Sequence, residues 1–441
     1  MMRTSQILSS ILCGSAAVAG VLAANSWIAP GAVWYDTAGN KIDAHGGGIV
    51  QRGDTFYWVG QSAANSETPL MYSSTDLLNW ANLGQQASAV TGMWRPKIAK
   101  PNGSFWLYGQ QDRYVLSLVS TQLDAGYKQS AKVYLPPDSY SYSDTGMFQD
   151  DDQTWYILTS ADHNIVQINK INTDGTVGDR VAAIAKGAYE APGLFKVNGV
   201  YYLIVSAKTG WRANPNKVFW ATSLGGTWSG GTDIAPEANN TYGSQNTFEL
   251  TIKGSQATTY VYMGDAWDST GGTSSNYVWL PMAVDTSAHT VTLQYHAMWK
   301  VDVNTGVVSY PTTKKRYEAE DALLSGAASV ARCEHCVSKR AVHKVSPGSE
   351  ITFHNVSGTG SLEWYSFKYH VSDPDAGQAH IRVNDELYPT NMSDLNSRAG
   401  RHHTVPVQLR LESGDANTIR FGAIGSEDFD VTLDSIELYH E

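Results

Sequence analysis

Five stretches of the chain share one pattern, in which a polar turn precedes a strand rich in aromatic and aliphatic residues. The aromatic residues that begin these strands are Phe56, Phe105, Trp155, Tyr201 and Tyr260. They recur about every fifty residues, a period typical of β-propeller blades, each a four-stranded sheet that cannot bury both faces alone. The pattern therefore predicts an all-β chain with a five-bladed β-propeller over residues 25–310.

A second regularity lies eleven residues before each of the first four aromatic starts. After allowance for a longer hairpin in the fifth repeat, the five corresponding residues are His45, Trp94, Asp144, Glu190 and Gln245. Each stands at the head of the strand that precedes the aromatic one. If that strand is the innermost of its blade, the five side chains crowd around one end of the central channel. We therefore expect an axial pocket at these strand heads.

Two of the five residues, Asp144 and Glu190, are carboxylic acids. Polar residues at strand heads usually cap turns and face water, but here two carboxylates are in register with a carboxamide, a histidine and a tryptophan. Hydrolysis of a glycosidic bond needs a protonated acid and a second group that activates water or attacks carbon. The neighbours of Glu190 in YEAPG favour an apolar setting, which raises the pKa of a carboxyl group and makes Glu190 the better proton donor. We expect Asp144 to stay ionised and to help to keep Glu190 protonated.

Charge and composition narrow the class of partner. The formal net charge is −11 at pH 7, whereas proteins that bind nucleic acids or anionic membranes carry clustered Lys and Arg. The chain also contains 14 Trp and 24 Tyr, whose flat apolar faces and polar edges suit stacking against sugar rings. These features argue against nucleic acid or membrane binding and favour a neutral polysaccharide.

Residues 1–24 combine an Arg, an apolar stretch and small residues at their end, as a secretory signal peptide does. The apolar stretch is too short for a membrane anchor, and no later segment reaches about 18 uninterrupted apolar residues. Asn-x-Ser/Thr sequons, which accept N-linked glycans on secreted proteins, stand at Asn102, Asn239, Asn355 and Asn391. The sequence thus predicts a secreted, extracellular glycoprotein.

The sequence has three cysteines. Cys13 lies in the predicted signal peptide, and the other two belong to the motif CEHC. Two thiols this close suit zinc or redox chemistry inside a cell, but no second pair is present in the sequence to complete a zinc site. In an oxidising compartment, a local disulfide between Cys333 and Cys336 is favoured.

The last part of the chain has the pattern of a separate unit. The polar stretch PTTKKR at residues 311–316 predicts a linker. Residues 317–441 then show the alternation typical of strands and no helical period. Their number suits one β-sandwich.

Residues 28–310 resemble glycoside hydrolase family 43 and, within it, the fungal exo-β-1,3-galactanase branch. The resemblance lies in SDTGMFQDDD, YEAPGLFK, SAKTGWRANPN, GSQNTFEL, VYMGDAW and SNYVWLPM. It implies a five-bladed propeller that removes galactose from β-1,3-galactan, such as the arabinogalactan backbone, in exo mode with inversion. It also implies that Glu190 is the general acid, that Asp144 tunes the pKa of Glu190, and that Gln245 handles the attacking water.

The group that activates water is the open point of this resemblance. Many members of the family carry an Asp at the start of the first blade, where this chain has AHGG. A neutral carboxamide is a poor base, so Gln245 needs an imidic-acid tautomer, or the water must lose its proton late in the transition state. Asp43, two residues before His45, is the alternative base.

Trp94 departs from the branch, which usually has Glu in a segment resembling ERPK where this chain has WRPK. A Trp can stack on a sugar face but cannot accept hydrogen bonds from its hydroxyl groups. The residues expected to bind the sugar are His45, Trp94, Tyr114, Trp211 and Trp267. The departure keeps two alternatives open, namely a family 43 hydrolase acting on arabinan or xylan side chains and a lectin that binds galactan without cutting it.

The segments YEAED and DFDVTLDSIELY, near the two ends of residues 317–441, resemble family 35 carbohydrate-binding modules, which are jelly-roll sandwiches. The resemblance implies that Glu318, Glu320 and Asp434 are ligands of a structural calcium ion, a hard cation that carboxylate oxygens suit. The alternative is a solvated acidic edge strand. We expect no cofactor for catalysis, and we expect the protein to be a monomer.

Overall fold

The structure is a computed structural model that describes residues 25–136, 142–161, 165–268, 270–334, 336–371, 379–389, 401–422 and 430–440. Nearly all regular structure in these residues is β-strand, which confirms the predicted all-β class. The helical segments are short and comprise 3-10 turns at Ala63–Asn65, Glu237–Asn239 and Ala319–Asp321 and α1 at Asn240–Gly243. The expected signal peptide, Cys13 and Asn391 lie outside the described residues.

The first twenty strands form five antiparallel sheets, each of four strands that follow one another in the sequence. The first two sheets contain β1 (His45–Arg52), β2 (Thr55–Ser62), β3 (Thr68–Ser74), β4 (Ala81–Gln85), β5 (Trp94–Ala99), β6 (Phe105–Gln111), β7 (Tyr114–Ser120) and β8 (Lys128–Val133). The other three contain β9 (Thr145–Gln149), β10 (Trp155–Ala161), β11 (Ile165–Ile171), β12 (Val177–Ile184), β13 (Tyr189–Val197), β14 (Val200–Ala207), β15 (Lys217–Ala221), β16 (Ser229–Asp233), β17 (Gln245–Lys253), β18 (Thr258–Ala266), β19 (Asn276–Asp285) and β20 (Thr290–Leu293). Each predicted repeat corresponds to one sheet, because its aromatic start lies within the first three residues of the second strand.

The first strands of the five sheets lie side by side around an axis, as in a β-propeller. Each first strand neighbours those of the two adjacent sheets, and β17 of the last sheet neighbours β1 of the first. A short pairing between Ile28 and Trp299 joins the beginning of this region to its end. The inner strands approach closely, since a Cβ on Gly48 would lie 2.7 Å from Cδ of Lys97 on the next sheet.

Aromatic side chains fill the space between the first and the last sheet. Trp58 of β2 and Trp279 of β19 are both 1% exposed, and their ring centroids are 4.8 Å apart in an edge-on contact. Trp34, from the segment before β1, packs edge-on against Trp279 at 5.0 Å. The facing surfaces of the first and the last sheet are thus buried against each other, as expected for blades that cannot bury their faces alone.

The rest of the chain forms two sheets around a second apolar core. After a hairpin of β21 (Lys300–Val301) and β22 (Val308–Ser309), its strands are β23 (Thr313–Glu318), β24 (Leu323–Ser325), β25 (Ser329–Arg332), β26 (Arg340–Val345), β27 (Glu350–Gly358), β28 (Leu362–Val371), β29 (His380–Val383), β30 (Glu386–Pro389), β31 (Arg401–Arg410), β32 (Gly414–Gly422) and β33 (Val431–Tyr439). One sheet has the order β25-β26-β33-β28-β31 with β23 also paired to β33, and the other has the order β24-β27-β32-β29-β30.

The predicted linker at residues 311–316 is in large part strand. β23 begins at Thr313 and pairs with β33, because a ladder uses backbone groups and tolerates polar side chains. The sandwich also contacts the propeller directly. The hydroxyl group of Tyr295 donates a hydrogen bond of 2.7 Å to a backbone carbonyl of β31, and Trp364 and Tyr439 join the aromatic core of the propeller.

The disulfide predicted between Cys333 and Cys336 is confirmed. It closes a tight loop between β25 and β26, two strands that pair in antiparallel fashion. In the part of the chain that the structure describes, no helix is both long and apolar enough to span a membrane.

Candidate active site

A cavity of about 260 Å³ lies at the end of the propeller axis where the first strands begin. Four of the five residues expected at this end line it, namely Trp94, Asp144, Glu190 and Gln245. The other lining residues are Gln61, Arg95, Gln110, Ser143, Gly210, Trp211 and Trp267. Residues far apart in the sequence therefore meet at one site, and we call this cavity the axial pocket.

The strand heads reach the axial pocket because the backbone bends there. The pairing of the first strand with the second is irregular close to the heads of β1, β5, β13 and β17. Left-handed φ values of 50°, 53° and 54° occur at Arg95, Asp144 and Ala191. A bulge of this kind re-aims nearby side chains. Each non-glycine residue held there stores on the order of 1–3 kcal/mol of strain, which is characteristic of functional sites.

Glu190 is a half-buried residue near the start of β13. Burial raises the pKa of its carboxyl group to about 7, and the negative charge of Asp144 acts in the same direction. The charge of Arg95 and a hydrogen bond from Gln245 act in the opposite direction. A carboxyl group with this pKa remains protonated in a large fraction of molecules near neutral pH, as a general acid requires.

Asp144 is held by three contacts just before β9. Its Oδ1 lies 3.0 Å from Nε of Arg95, and its Oδ2 accepts a hydrogen bond of 2.6 Å from the backbone N–H of Ala191. Its own N–H donates to Oε1 of Gln110 at 2.8 Å. Because Ala191 follows Glu190 directly, the carboxylate of Asp144 is fixed beside the general-acid candidate.

Gln245 stands at the head of β17, and four hydrogen bonds engage its amide group. Its Nε2 donates to Oε1 of Glu190 at 2.9 Å and to Oγ of Ser206 at 3.1 Å. Its Oε1 accepts from Nη2 of Arg95 at 2.5 Å and from Nε1 of Trp267 at 2.9 Å. The side chain therefore links the acid of one sheet to the arginine of another.

Arg95 is the central residue of this network that sequence reasoning missed. In a regular strand, neighbouring side chains point to opposite faces, so Arg95 is expected to turn away from Trp94. The bulge at the head of β5 cancels this alternation, and both side chains line the axial pocket. The sequence offered one signal for Arg95. It is a basic residue that directly follows Trp94, and two of the other strand-head residues are acids.

Three tryptophans form a continuous aromatic wall of the axial pocket. The ring centroids of Trp94 and Trp211 are 5.7 Å apart, and those of Trp211 and Trp267 are 5.0 Å apart. Such rings stack on the apolar face of a sugar, whereas the polar side chains that line the same pocket can bind its hydroxyl groups. The structure thus brings Trp94, Trp211 and Trp267 together, as their expected role in sugar binding requires.

The structure places His45 behind the described wall of the axial pocket rather than in it. His45 is 1% exposed, and its Nδ1 lies 3.1 Å from Oδ1 of Asp265. Its ring stacks on that of Tyr277 with centroids 4.7 Å apart. The side chain of His45, at the head of β1, therefore turns toward β19 and does not line the cavity.

Asp43 and Tyr114 also lie outside the described lining of the axial pocket. The carboxylate of Asp43 accepts hydrogen bonds from the hydroxyl group of Ser62 at 2.6 Å and from two backbone N–H groups that follow it. It therefore caps the turn after β2, which leaves it poorly placed as an alternative base. Tyr114 packs against Tyr134 on the outer strands of the second sheet, with centroids 4.4 Å apart.

The three acidic residues of the sandwich each bury one carboxylate oxygen that has no hydrogen-bond partner. These residues are Glu318, Glu320 and Asp434. Burial raises the pKa of Glu318 and of Asp434. Unpaired buried oxygens of this kind are stabilised by a cation. Among the described residues, no three acidic, histidine or cysteine side chains are grouped closely enough to hold a metal ion together.

The family model of glycosyl hydrolases family 43 matches residues 43–277. A β-xylosidase from Formosa agariphila is 23% identical over 190 residues, which are 36% of this chain and 32% of that protein. The extracellular endo-α-(1→5)-L-arabinanase 1 of Bacillus subtilis is 26% identical over 194 residues, which are 41% of this chain and 57% of that protein. The matches thus span less than two thirds of either relative.

A solved structure gives a longer match. The crystal structure of exo-β-1,3-galactanase from Phanerochaete chrysosporium with β-1,3-galactotriose is 31% identical, with a TM-score of 0.83. The match covers 94% of this chain and 100% of that chain, so it includes both the propeller and the sandwich.

Proposed function

This chain belongs to the glycosyl hydrolases of family 43, and from that premise we propose that it removes galactose from β-1,3-galactan in exo mode, as in the backbone of arabinogalactan. It is a glycosidase, an enzyme that hydrolyses O-glycosyl bonds. The observation that carries the proposed substrate is the likeness, at 31% identity over 94% of the chain, to an exo-β-1,3-galactanase with bound β-1,3-galactotriose.

The proposed reaction is hydrolysis with inversion at the anomeric carbon. Glu190 gives its proton to the glycosidic oxygen while the bond to C1 breaks, and water attacks C1 from the opposite face of the ring. The water becomes the new hydroxyl group at C1 and releases its other proton to solvent, from which Glu190 regains a proton. The negative charge of Asp144 beside Glu190 supports the raised pKa of Glu190. The apolar face of the sugar packs on the aromatic wall, and this contact holds the reacting bond against the acid.

We also propose an organisation for the whole molecule. The five sheets are blades of a closed five-bladed propeller, and residues 317–441 form a jelly-roll carbohydrate-binding module that keeps the enzyme on its polysaccharide. The cyclic contacts of the first strands and the two-sheet arrangement of the sandwich support this organisation. The protein is a secreted monomer that carries N-linked glycans, and the exposed Asn355 is one acceptor.

Incubation of the purified protein with β-1,3-galactan, β-1,4-galactan, arabinan and arabinoxylan tests the substrate. We expect galactose from the β-1,3 polymer alone. Arabinose or xylose in its place would contradict the proposal. If the protein is inactive on all four polymers but is retained on a galactan affinity gel, a lectin function is favoured over the proposed hydrolysis.

A second candidate function, hydrolysis of arabinan or xylan side chains, is favoured by Trp94. Its indole lies in the wall of the axial pocket and cannot accept a hydrogen bond from a sugar hydroxyl group. The variant Trp94→Glu supplies an acceptor at this position and serves as a comparison in the same assay. A gain on β-1,3-galactan would identify residue 94 as the determinant of substrate choice.

The stereochemistry of the product tests the inverting mechanism. Because water attacks the face opposite the leaving group, a β-linked galactan should first release the α-anomer. Proton NMR spectra recorded in the first minutes, before mutarotation, distinguish the two anomers. Initial release of the β-anomer would instead indicate retention.

The pH profile tests the state of Glu190. A general acid acts only while it is protonated, so its raised pKa predicts that hydrolysis is lost as the pH rises through about 7. An unperturbed carboxyl group would place this loss near pH 4.5. The measurement is kcat/KM against pH, and a basic limb near pH 4.5 would contradict the proposed environment of Glu190.

A calcium ion in the sandwich is also part of the proposal. Glu318, Glu320 and Asp434 are not grouped as a preformed metal site, so they would have to draw together around the ion with their unpaired buried oxygens. A metal that binds only the folded state stabilises it, so EDTA should lower the melting temperature of the full chain by several degrees and calcium should restore it. The variant Asp434→Asn should no longer respond to calcium. Identical melting curves with EDTA and with calcium would rule out the site.

A further inference from the structure

Two tyrosines lie at the same end of the second sheet as the axial pocket. Strand pairing places Trp94 of β5 opposite Gln110 of β6, and both residues line the axial pocket. On the next strand, Tyr114 begins β7 beside the partner of Gln110. On the outermost strand, Tyr134 directly follows the end of β8. A row of side chains thus leads from the axial pocket outward across the end of this sheet.

The length of this row suits a chain of sugars. Because neighbouring strands lie about 4.8 Å apart, the three steps from β5 to β8 cover about 14 Å. This is longer than a single sugar ring. The turn between β6 and β7 is also tied to the pocket, because the backbone carbonyl of Arg113 accepts a hydrogen bond of 3.0 Å from the N–H of Tyr142, two residues before Asp144. An oligosaccharide whose last unit fills the axial pocket can therefore reach Tyr134.

Tyr114 and Tyr134 hold each other in place, and we call them the outer tyrosine pair. Their ring centroids are 4.4 Å apart at an interplanar angle of 36°. The hydroxyl group of Tyr134 donates a hydrogen bond of 3.2 Å to the hydroxyl oxygen of Tyr114. Nζ of Lys132 lies over the ring of Tyr114, 4.9 Å from its centroid. The rings are thus positioned by their neighbours, although they stand on outer strands.

The outer tyrosine pair presents apolar surface to solvent. Tyr134 is 39% exposed and Val133 is 41% exposed, whereas Leu135, the residue that follows, is completely buried. The buried leucine anchors the backbone on one side of Tyr134 and leaves its ring at the surface. Tyrosine is favoured at binding surfaces because its ring is apolar and its hydroxyl group is polar.

The charges next to the outer tyrosine pair favour a neutral ligand. Nζ of Lys132 lies 2.9 Å from Oδ2 of Asp112, so the two charges compensate each other. The two hydroxyl groups can still exchange hydrogen bonds with a ligand, since each oxygen has two lone pairs. A flat apolar face with hydroxyl groups at its edge matches a sugar ring, which has C–H groups on its faces and hydroxyl groups around them.

We propose that the outer tyrosine pair is a second sugar-binding subsite, which holds a unit of the galactan chain beyond the unit in the axial pocket. The inference rests on the proposed function, because it states where the rest of that substrate lies. Tyr134 offers its exposed ring to the sugar, and Tyr114 holds this ring in position. The bond that breaks stays beside Glu190, so the pair contributes to the binding of long substrates and not to the chemical step.

The variant Tyr134→Ala tests the subsite through the length of the substrate. We expect KM for a β-1,3-galactan pentasaccharide to rise about 3- to 10-fold, the contribution of one aromatic contact. The kcat value should not change, because the lost contact is the same in the ground state and in the transition state. The KM value for the β-1,3-linked disaccharide should not change either, because this ligand does not reach Tyr134. An unchanged KM for the pentasaccharide, or an equal loss on the disaccharide, would overturn the inference.

Two further variants separate stacking from other effects. Tyr134→Phe keeps the ring and should keep KM for the pentasaccharide within about twofold of wild type. Tyr310→Ala is the matched control, because Tyr310 is 47% exposed and packs on the ring of His296 after the fifth sheet. It should leave KM for both substrates unchanged. A loss in Tyr310→Ala as large as that in Tyr134→Ala would contradict a specific subsite.

Calorimetry makes the test independent of turnover. The variant Glu190→Gln should bind the pentasaccharide about 3- to 10-fold more tightly than the disaccharide, and the additional change Tyr134→Ala should remove this difference. Equal affinities of the two ligands in Glu190→Gln would overturn the inference. Failure of the proposed function would appear separately, as a wild-type protein that releases no galactose from either ligand.

Discussion

Replacement of Glu190 by Gln is expected to lower turnover by roughly two orders of magnitude or more while oligosaccharide binding survives. Gln has nearly the same size and keeps an oxygen that can accept the hydrogen bond from Nε2 of Gln245. It cannot transfer a proton to the leaving oxygen. The interaction that is lost exists only in the transition state, so kcat falls and the dissociation constant measured by calorimetry stays near the wild-type value.

Glu249→Gln is the matched control for this variant. Burial raises the pKa of Glu249 to about 8, so both glutamates have a raised pKa and both stand on a first strand. Glu249 lines a different cavity, away from the aromatic wall. Turnover of Glu249→Gln should therefore stay within about twofold of wild type.

Two outcomes would contradict the role of Glu190. The first is unchanged turnover of Glu190→Gln, and the second is an equal loss in Glu249→Gln. A substrate with a very acidic leaving group, such as a nitrophenyl galactoside, provides a further check. Such a group needs little protonation, so the loss in Glu190→Gln should shrink on this substrate.

Asp144→Asn is expected to lower kcat by about 10- to 100-fold and to move the basic limb of the pH profile to lower pH. The charge of Asp144 raises the pKa of Glu190, and that of Arg95 lowers it. Removal of the carboxylate leaves Arg95 without its partner, so both effects lower the pKa of Glu190. At neutral pH, fewer molecules then hold the proton that the reaction needs.

Asp150→Asn serves as its control. Asp150 follows the other end of β9 and binds Lys196 and Tyr201, away from the axial pocket. Its substitution should leave the basic limb in place, although it can lower the melting temperature. A limb that does not move in Asp144→Asn would show that Asp144 does not tune the acid.

Much of the fold follows from the chain pattern. An aromatic residue near the start of the second strand of each sheet recurs about every fifty residues, and the apolar faces that it marks need partners because a single sheet cannot bury them. The spacing of eleven residues from these starts back to the strand heads also holds in the structure, because two antiparallel strands and a tight turn fix that distance. Glu190 and Asp144 were identified in this way.

The pattern was less informative about individual side chains. His45 has the register of a pocket residue, yet it binds Asp265 behind the described wall. Arg95 has no register position and still connects three sheets. Tyr114 lies on an outer strand, outside the described lining. For His45 and Arg95 the direction of one side chain decided the outcome, because a neighbouring acid holds His45 and the bulge at the head of β5 turns Arg95 into the axial pocket.

The sequence by itself determined the class of the fold, the repeat and the place of Asp144 and Glu190 at neighbouring strand heads. These depend on periodicity and residue type, which are local properties of the chain. Only the tertiary structure decided how Arg95, Asp144, Glu190 and Gln245 engage one another. The pairs that contact one another lie 49 to 150 positions apart in the sequence, and they meet because the first strands of different sheets lie side by side and bring their bent heads within hydrogen-bond distance.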